Sequence, residues 1–154
     1  MSHTLQDFLA EQTPKVLADL IEAVQRIPEE KLAWSPMGDA RTVLDQLAEC
    51  ALLNGSSADM LTAKSWTMGS DLSPYLAAKA KLAEDATACI ALLKDNTGRV
   101  IDVIKEVKDD DLDVQVQMPW GANSIAEIAS YPYWNMYYHQ GQINYIASML
   151  GRLD

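Results

Sequence analysis

Apolar residues in this chain recur at intervals of three and four, and nowhere do they alternate with period two for long enough to define a confident strand. Four segments carry the helical spacing. In the first, residues 4–27, Leu5, Leu9, Val16, Leu20, Val24 and Ile27 share a face. Thr4 is placed to cap it with Asp7 three residues on, and Pro14 is expected to bend it or split off its first turns. The second, residues 42–63, starts at Thr42 after a loop holding Pro28, Pro36 and Gly38. Its stripe includes Ala48, Ala51, Gly55 and Ala58, small side chains that let a neighbouring helix come close. The third, residues 73–107, opens with Ser73 as cap and Pro74 in the first turn, and reads as one long helix with Gly98 as its weak point. The fourth, residues 124–150, starts on the capping-box pair Ser124 and Glu127, should kink or divide at Pro132, and can end at Gly151. The pattern predicts an all-α fold: four antiparallel helices in a bundle, one domain over residues 1–154, and no substantial sheet.

The fourth segment contains an anomaly. On a 3.6-residue wheel Ile128, Pro132, Asn135, His139, Ile143, Ile146 and Leu150 share one side. Asn135 and His139 therefore stack one turn apart in the middle of an apolar stripe, with Gln142 beside them. Burying such groups unpaired costs ~1–3 kcal/mol each, so they need side chains, water or a metal ion as partners. Glu49, beside the core stripe of the second segment, is either an exposed helix glutamate or one of those partners. Trp34, Trp120, Tyr131, Trp134, Tyr137 and Tyr138 fall in the two long loops and the start of the fourth segment. They either pack the end of the bundle or Trp34 and Trp120 among them help wall a cavity over His139.

Composition narrows the field. At 154 residues, 49% of them apolar, the chain can bury a core without disulfides or metal staples. A formal charge of −10 opposes nucleic acid and anionic lipid as partners. No apolar run is long enough to span a bilayer. The opening "MSHTLQDFLAEQ" lacks a basic start followed by an apolar run, so no signal peptide is expected and the expected location is the cytoplasm. Cys50 and Cys89 form no CxxC and read as buried free thiols. There is no nucleophile elbow around Ser35, Ser56 or Ser57 and no glycine-rich phosphate loop; His3 is expected to be solvated.

Three stretches carry a family resemblance. "YYHQGQINYIASMLG" is similar to the closing helix of the DinB/YfiT-like family, with its His-x-Gly-Gln-Ile pattern. "EEKLAWSPMGDARTVLDQLAECALLNG" resembles the entry to that family's second helix, and "VQMPWGANSIAE" the turn before its last. The resemblance implies a four-helix bundle of up-down-down-up topology and a homodimer. It also implies a three-histidine metal site, whose slots fall here on Glu49, Asn135 and His139; only His139 keeps the histidine. A carboxylate–amide–imidazole set is a poor match for zinc or nickel, so a divalent metal is expected to be weakly bound or absent. The implied activity is metal-assisted transfer involving a low-molecular-weight thiol such as mycothiol or bacillithiol, with His139 and Glu49 as the catalytic pair. The alternative is a non-catalytic small-molecule-binding or interaction protein that has lost the metal. Either way Glu49 is expected within hydrogen-bonding reach of His139, in a pocket bounded by Trp34, Trp120, Tyr131 and Gln142.

Overall fold

The structure is a computed structural model that describes residues 4–153; His3 lies outside the described residues. Five helices form: α1 (Leu5–Gln25), α2 (Val43–Ala63), α3 (Ser73–Leu82), α4 (Ala86–Glu106) and α5 (Ile125–Met149). Strands β1 (Gln115–Met118) and β2 (Gly121–Ser124) make an antiparallel hairpin immediately before α5.

The helix starts follow their caps. Thr4 and Ser124 each make a full capping box, with Asp7 and Glu127 as the returning side chains. The Thr42 hydroxyl accepts from Asp45 N at 3.0 Å. Ser73 does not cap α3. The helix already includes it, and Asp71 takes its backbone N–H at 2.9 Å. Both α1 and α5 run on through their internal prolines, so neither Pro14 nor Pro132 divides its helix. Gly151, at φ 65°, ends α5 in the left-handed region, and Arg152 N then reaches back to Ala147 O at 2.9 Å.

The third segment is not one helix. It breaks at Ala83–Asp85, well before Gly98, because Asp85 adopts an extended conformation and its carboxylate accepts from Ala88 N at 3.0 Å, starting a new helix. The four long helices are also not antiparallel throughout. Contacts between Ala51 and Asn96, Asn54 and Thr97, and Asp59 and Arg99 climb together, so α2 and α4 run parallel. Phe8 meets Tyr133 and Arg26 meets Asn144, so α1 and α5 are parallel too. By contrast Gln46 faces His139 while Asn54 faces Met136, which makes α2 and α5 antiparallel. This is the up-down-down-up arrangement. Parallel neighbours require a long return, which the segment around α3 supplies.

Close approach of α2 and α4 depends on Gly55. A Cβ there would lie 2.7 Å from Asn96 Nδ2, whose amide donates to Ala51 O at 2.8 Å. The core divides in two. One cluster gathers Val16, Leu20, Leu47, Leu93, Met136 and Ile143. The other gathers Leu9, Ala58, Val100, Ile104, Val116 and Ile125 beneath the hairpin. Both cysteines are buried and unpaired with each other.

Candidate functional site

The apolar stripe of α5 turns inward as a unit, and it takes Asn135 and His139 with it: Asn135 is 3% exposed and His139 is fully buried. The imidazole finds its partners on α2 and one turn further along α5. His139 Nε2 lies 3.0 Å from Glu49 Oε1, and Nδ1 lies 3.1 Å from Gln46 Oε1 and 2.9 Å from Gln142 Oε1. Gln46 is oriented by its own amide nitrogen, which donates to Arg41 O at 3.3 Å. Tyr138 sets a ring edge to face against the imidazole, 5.1 Å between centroids.

Sequence reasoning passed over the residue that completes this centre. Arg41, in the loop just ahead of α2, reaches along the helix face: its Nε donates to Asp45 Oδ2 at 2.5 Å and its Nη2 lies 2.7 Å from Glu49 Oε2. Lys79 from α3 takes the other Asp45 oxygen at 2.8 Å. Lys79, Asp45, Arg41 and Glu49 alternate in charge, and through the Glu49–His139 contact the chain joins α3, α2 and α5. The signal available in the sequence was spacing, since Arg41, Asp45 and Glu49 recur every four residues. Burial alone would push the Glu49 carboxyl up. Hydrogen bonds from His139 and Arg41, and the Arg41 charge, outweigh it and bring the carboxyl down to about 2.

Asn135 does not join this pair. Its amide donates to Cys50 Sγ at 3.8 Å, so it secures α5 against α2 one position along from Glu49. Trp34 also departs from expectation. It packs on the first core cluster with Lys31 5.5 Å above its ring and lines no cavity over His139. Gln142 touches the imidazole directly and opens on its other side to a shallow groove with Arg41, Tyr138 and Tyr145.

Trp120 and Tyr131 line a different space, a cavity of about 360 Å³ between α2, the loop leading to α3, the hairpin and α5. Trp66, Tyr75 and Trp134 complete its aromatic wall, and none of these three was expected to line it over His139. The cavity begins where the polar centre stops: Leu53 on its wall is one helical turn beyond Glu49. Burial first, and then the Glu49 charge, push the Tyr75 and Tyr131 hydroxyls well above the usual phenol range.

A metal ion at the Glu49–Asn135–His139 slots needs free lone pairs converging on one point. Here both Glu49 oxygens are engaged, one by the imidazole and one by a guanidinium. Both imidazole nitrogens already face oxygens, and the Asn135 amide points at sulfur. Arg41 puts a fixed positive charge where a cation would have to sit. The residues present do not fit a divalent ion. Among the described residues, no group of three or more histidine, cysteine, aspartate and glutamate side chains is placed to hold a metal.

The molecule is thus a helical bundle with a closed polar centre beside an aromatic cavity. Residues 12–143 match the sequence profile of the DinB superfamily, and the chain belongs to that family. Among solved structures it is similar to YfiT from Bacillus subtilis, described as a probable metal-dependent hydrolase with an unusual four-helix bundle topology. The two share 16% identity and a TM-score of 0.81 over 98% of this chain and 90% of that one, a likeness of fold. No curated protein matches the sequence. No helix among the described residues is long and apolar enough to cross a membrane.

Proposed function

We propose that this chain is a small-molecule-binding member of the DinB superfamily in which the family's metal position has become an internal ion-pair centre. One observation carries the reading: the Arg41 guanidinium, 2.7 Å from Glu49 Oε2, while Glu49 Oε1 faces His139. The centre braces α2 against α5, and the cavity beside it is the space a ligand would occupy. A volume of about 360 Å³ lies within the range of small-molecule sites. Metal-assisted transfer to or from a low-molecular-weight thiol is the weaker reading. Its metal, though not the transfer, has the description of YfiT as a probable metal-dependent hydrolase on its side, but it needs Arg41 to leave Glu49 and Asn135 to turn from Cys50.

The test is elemental analysis of protein purified from cells supplied with zinc and nickel, then dialysed against a chelator. It is paired with titration of N-phenyl-1-naphthylamine, a neutral apolar fluorophore. The expected result is metal far below stoichiometric and saturable probe binding. Stoichiometric zinc or nickel surviving dialysis, or no saturable binding, overturns the proposal.

A further inference from the structure

The cavity has a chemical character that its volume alone does not convey. Trp66, Tyr75, Trp120, Tyr131 and Trp134 supply five of its fifteen lining residues. Trp66 and Trp120 meet edge to face at 5.1 Å, and Tyr131 and Trp134 at 4.6 Å, so ring edges are paired with ring faces around the space. Met60, Met68 and Met118 fill the gaps with polarisable sulfur. No lysine, arginine or histidine lines the cavity; its one ionisable carboxylate is Glu127. That carboxylate accepts from Ser124 N at 2.6 Å and from Ser124 Oγ at 3.0 Å, which holds it ionised.

Each feature selects among ligands. An organic anion would meet Glu127, no compensating cation, and a chain of net charge −10. A neutral apolar molecule would fill the volume but gain nothing from Glu127. A protonated amine on an apolar body uses both features: aromatic faces attract the charge and the carboxylate balances it.

We propose that the aromatic cavity binds a lipophilic organic amine in its protonated form, with the aromatic rings around the body and the ammonium, and Glu127 as counter-charge. This rests on the small-molecule reading given above and names the ligand class for it.

Calorimetry at neutral pH with three matched probes tests it: phenylbutylamine, phenylbutanol and phenylpentanoate carry the same body with a cation, a neutral hydroxyl or an anion. The amine is expected to bind roughly tenfold tighter than the alcohol, and the carboxylate not measurably. Glu127→Gln keeps a capping-box residue at that position, so the fold is retained; it should abolish most of the amine's advantage and leave the alcohol's affinity unchanged. If the alcohol binds as tightly as the amine, or the carboxylate binds best, the amine assignment fails while the small-molecule reading stands. An advantage undiminished in Glu127→Gln overturns the role given to that carboxylate. Saturable fluorophore binding with none of the three probes bound overturns the ligand class alone, whereas failure of all four probes overturns both.

Discussion

Replacing Arg41 by methionine keeps most of the aliphatic stem and removes the guanidinium, which makes it a direct probe of the polar centre. The fall of the Glu49 carboxyl from 4.5 to about 2 corresponds to roughly 3 kcal/mol in favour of its ionised form. That is what remains after burial has worked in the opposite direction, and it is divided between His139 and Arg41. The Arg41 share is therefore roughly 1–2 kcal/mol, below the cost of breaking a fully buried pair because Arg41 and Glu49 side chains stay 31% and 18% exposed. Losing the Asp45 contact adds little, since Lys79 still holds that carboxylate. For a chain of this size the melting temperature should drop by roughly 2–8 °C. Urea unfolding followed by circular dichroism should show a lower midpoint at unchanged slope. A double-mutant cycle with Glu49→Gln should return a coupling of about 1–2 kcal/mol. The pH dependence has a definite sign. Glu49 has a depressed carboxyl in the folded chain, so its stabilisation is complete above its ordinary value of 4.5 and is lost as pH falls from there towards 2. Over that window Glu49→Gln should lose stability less steeply than the parent chain. A change within about 0.3 kcal/mol for Arg41→Met, or a coupling near zero, would mean that the guanidinium does not hold Glu49. The carboxylate would then be free for a cation, and the metal reading would return.

Three further outcomes are expected. Gly55→Ala should cost ~1–3 kcal/mol by thermal melt, because the added methyl meets Asn96 Nδ2 at 2.7 Å; an unchanged melt would show that α2 and α4 are not this close. Thr97→Val removes the oxygen that accepts from Asn54 Nδ2 at 2.9 Å and should cost ~1–3 kcal/mol, with Asn54→Leu/Thr97→Val costing less than the two singles summed; strict additivity would refute the pairing. Burial pushes both thiols up, Cys89 to about 11, so neither Cys50 nor Cys89 should react with iodoacetamide at about pH 8 before unfolding; rapid native labelling of Cys50, read by mass spectrometry, would contradict its burial.

Helix positions were legible because caps and stripes agree: Thr4, Thr42 and Ser124 each start a helix where their side chains can take a backbone N–H. The break before Asp85 was not. Leu76, Ala80 and Ala83 seemed to continue into Ile90 and Leu93, yet α3 buries no residue, and alanine says little about which face a helix turns inward. The cue was Asp85 itself, a capping residue two positions after Ala83. The hairpin was hidden for another reason. "QVQM" does alternate, with Val116 and Met118 buried, but over only four residues. Glu49 and His139 could be brought together only through the family resemblance, since neither residue's spacing points at the other. Arg41 lies in the loop ahead of α2, and its four-residue spacing from Asp45 and Glu49 was the one cue to its reach. Helix direction, too, came only through the resemblance and its up-down-down-up topology: loop lengths do not reveal that α2 and α4 run parallel.

Bundles usually gain speed from helix hairpins, pairs joined by a short loop that close at little entropic cost. Among the four long helices here, α1 takes its neighbours from α4 and α5 rather than from α2, and α5 takes its own from α1 and α2 rather than from α4. On a ribosome the apolar face of α1 would emerge first and wait for partners that begin at Ala86 and are complete only at Met149. The bundle should therefore fold late, once α5 has been made, and slowly for a helical bundle of this size. A nascent fragment ending before α5 would leave α1 and α2 each lacking one of two neighbours, with the imidazole's carboxylate partner already synthesised and nothing yet to receive it.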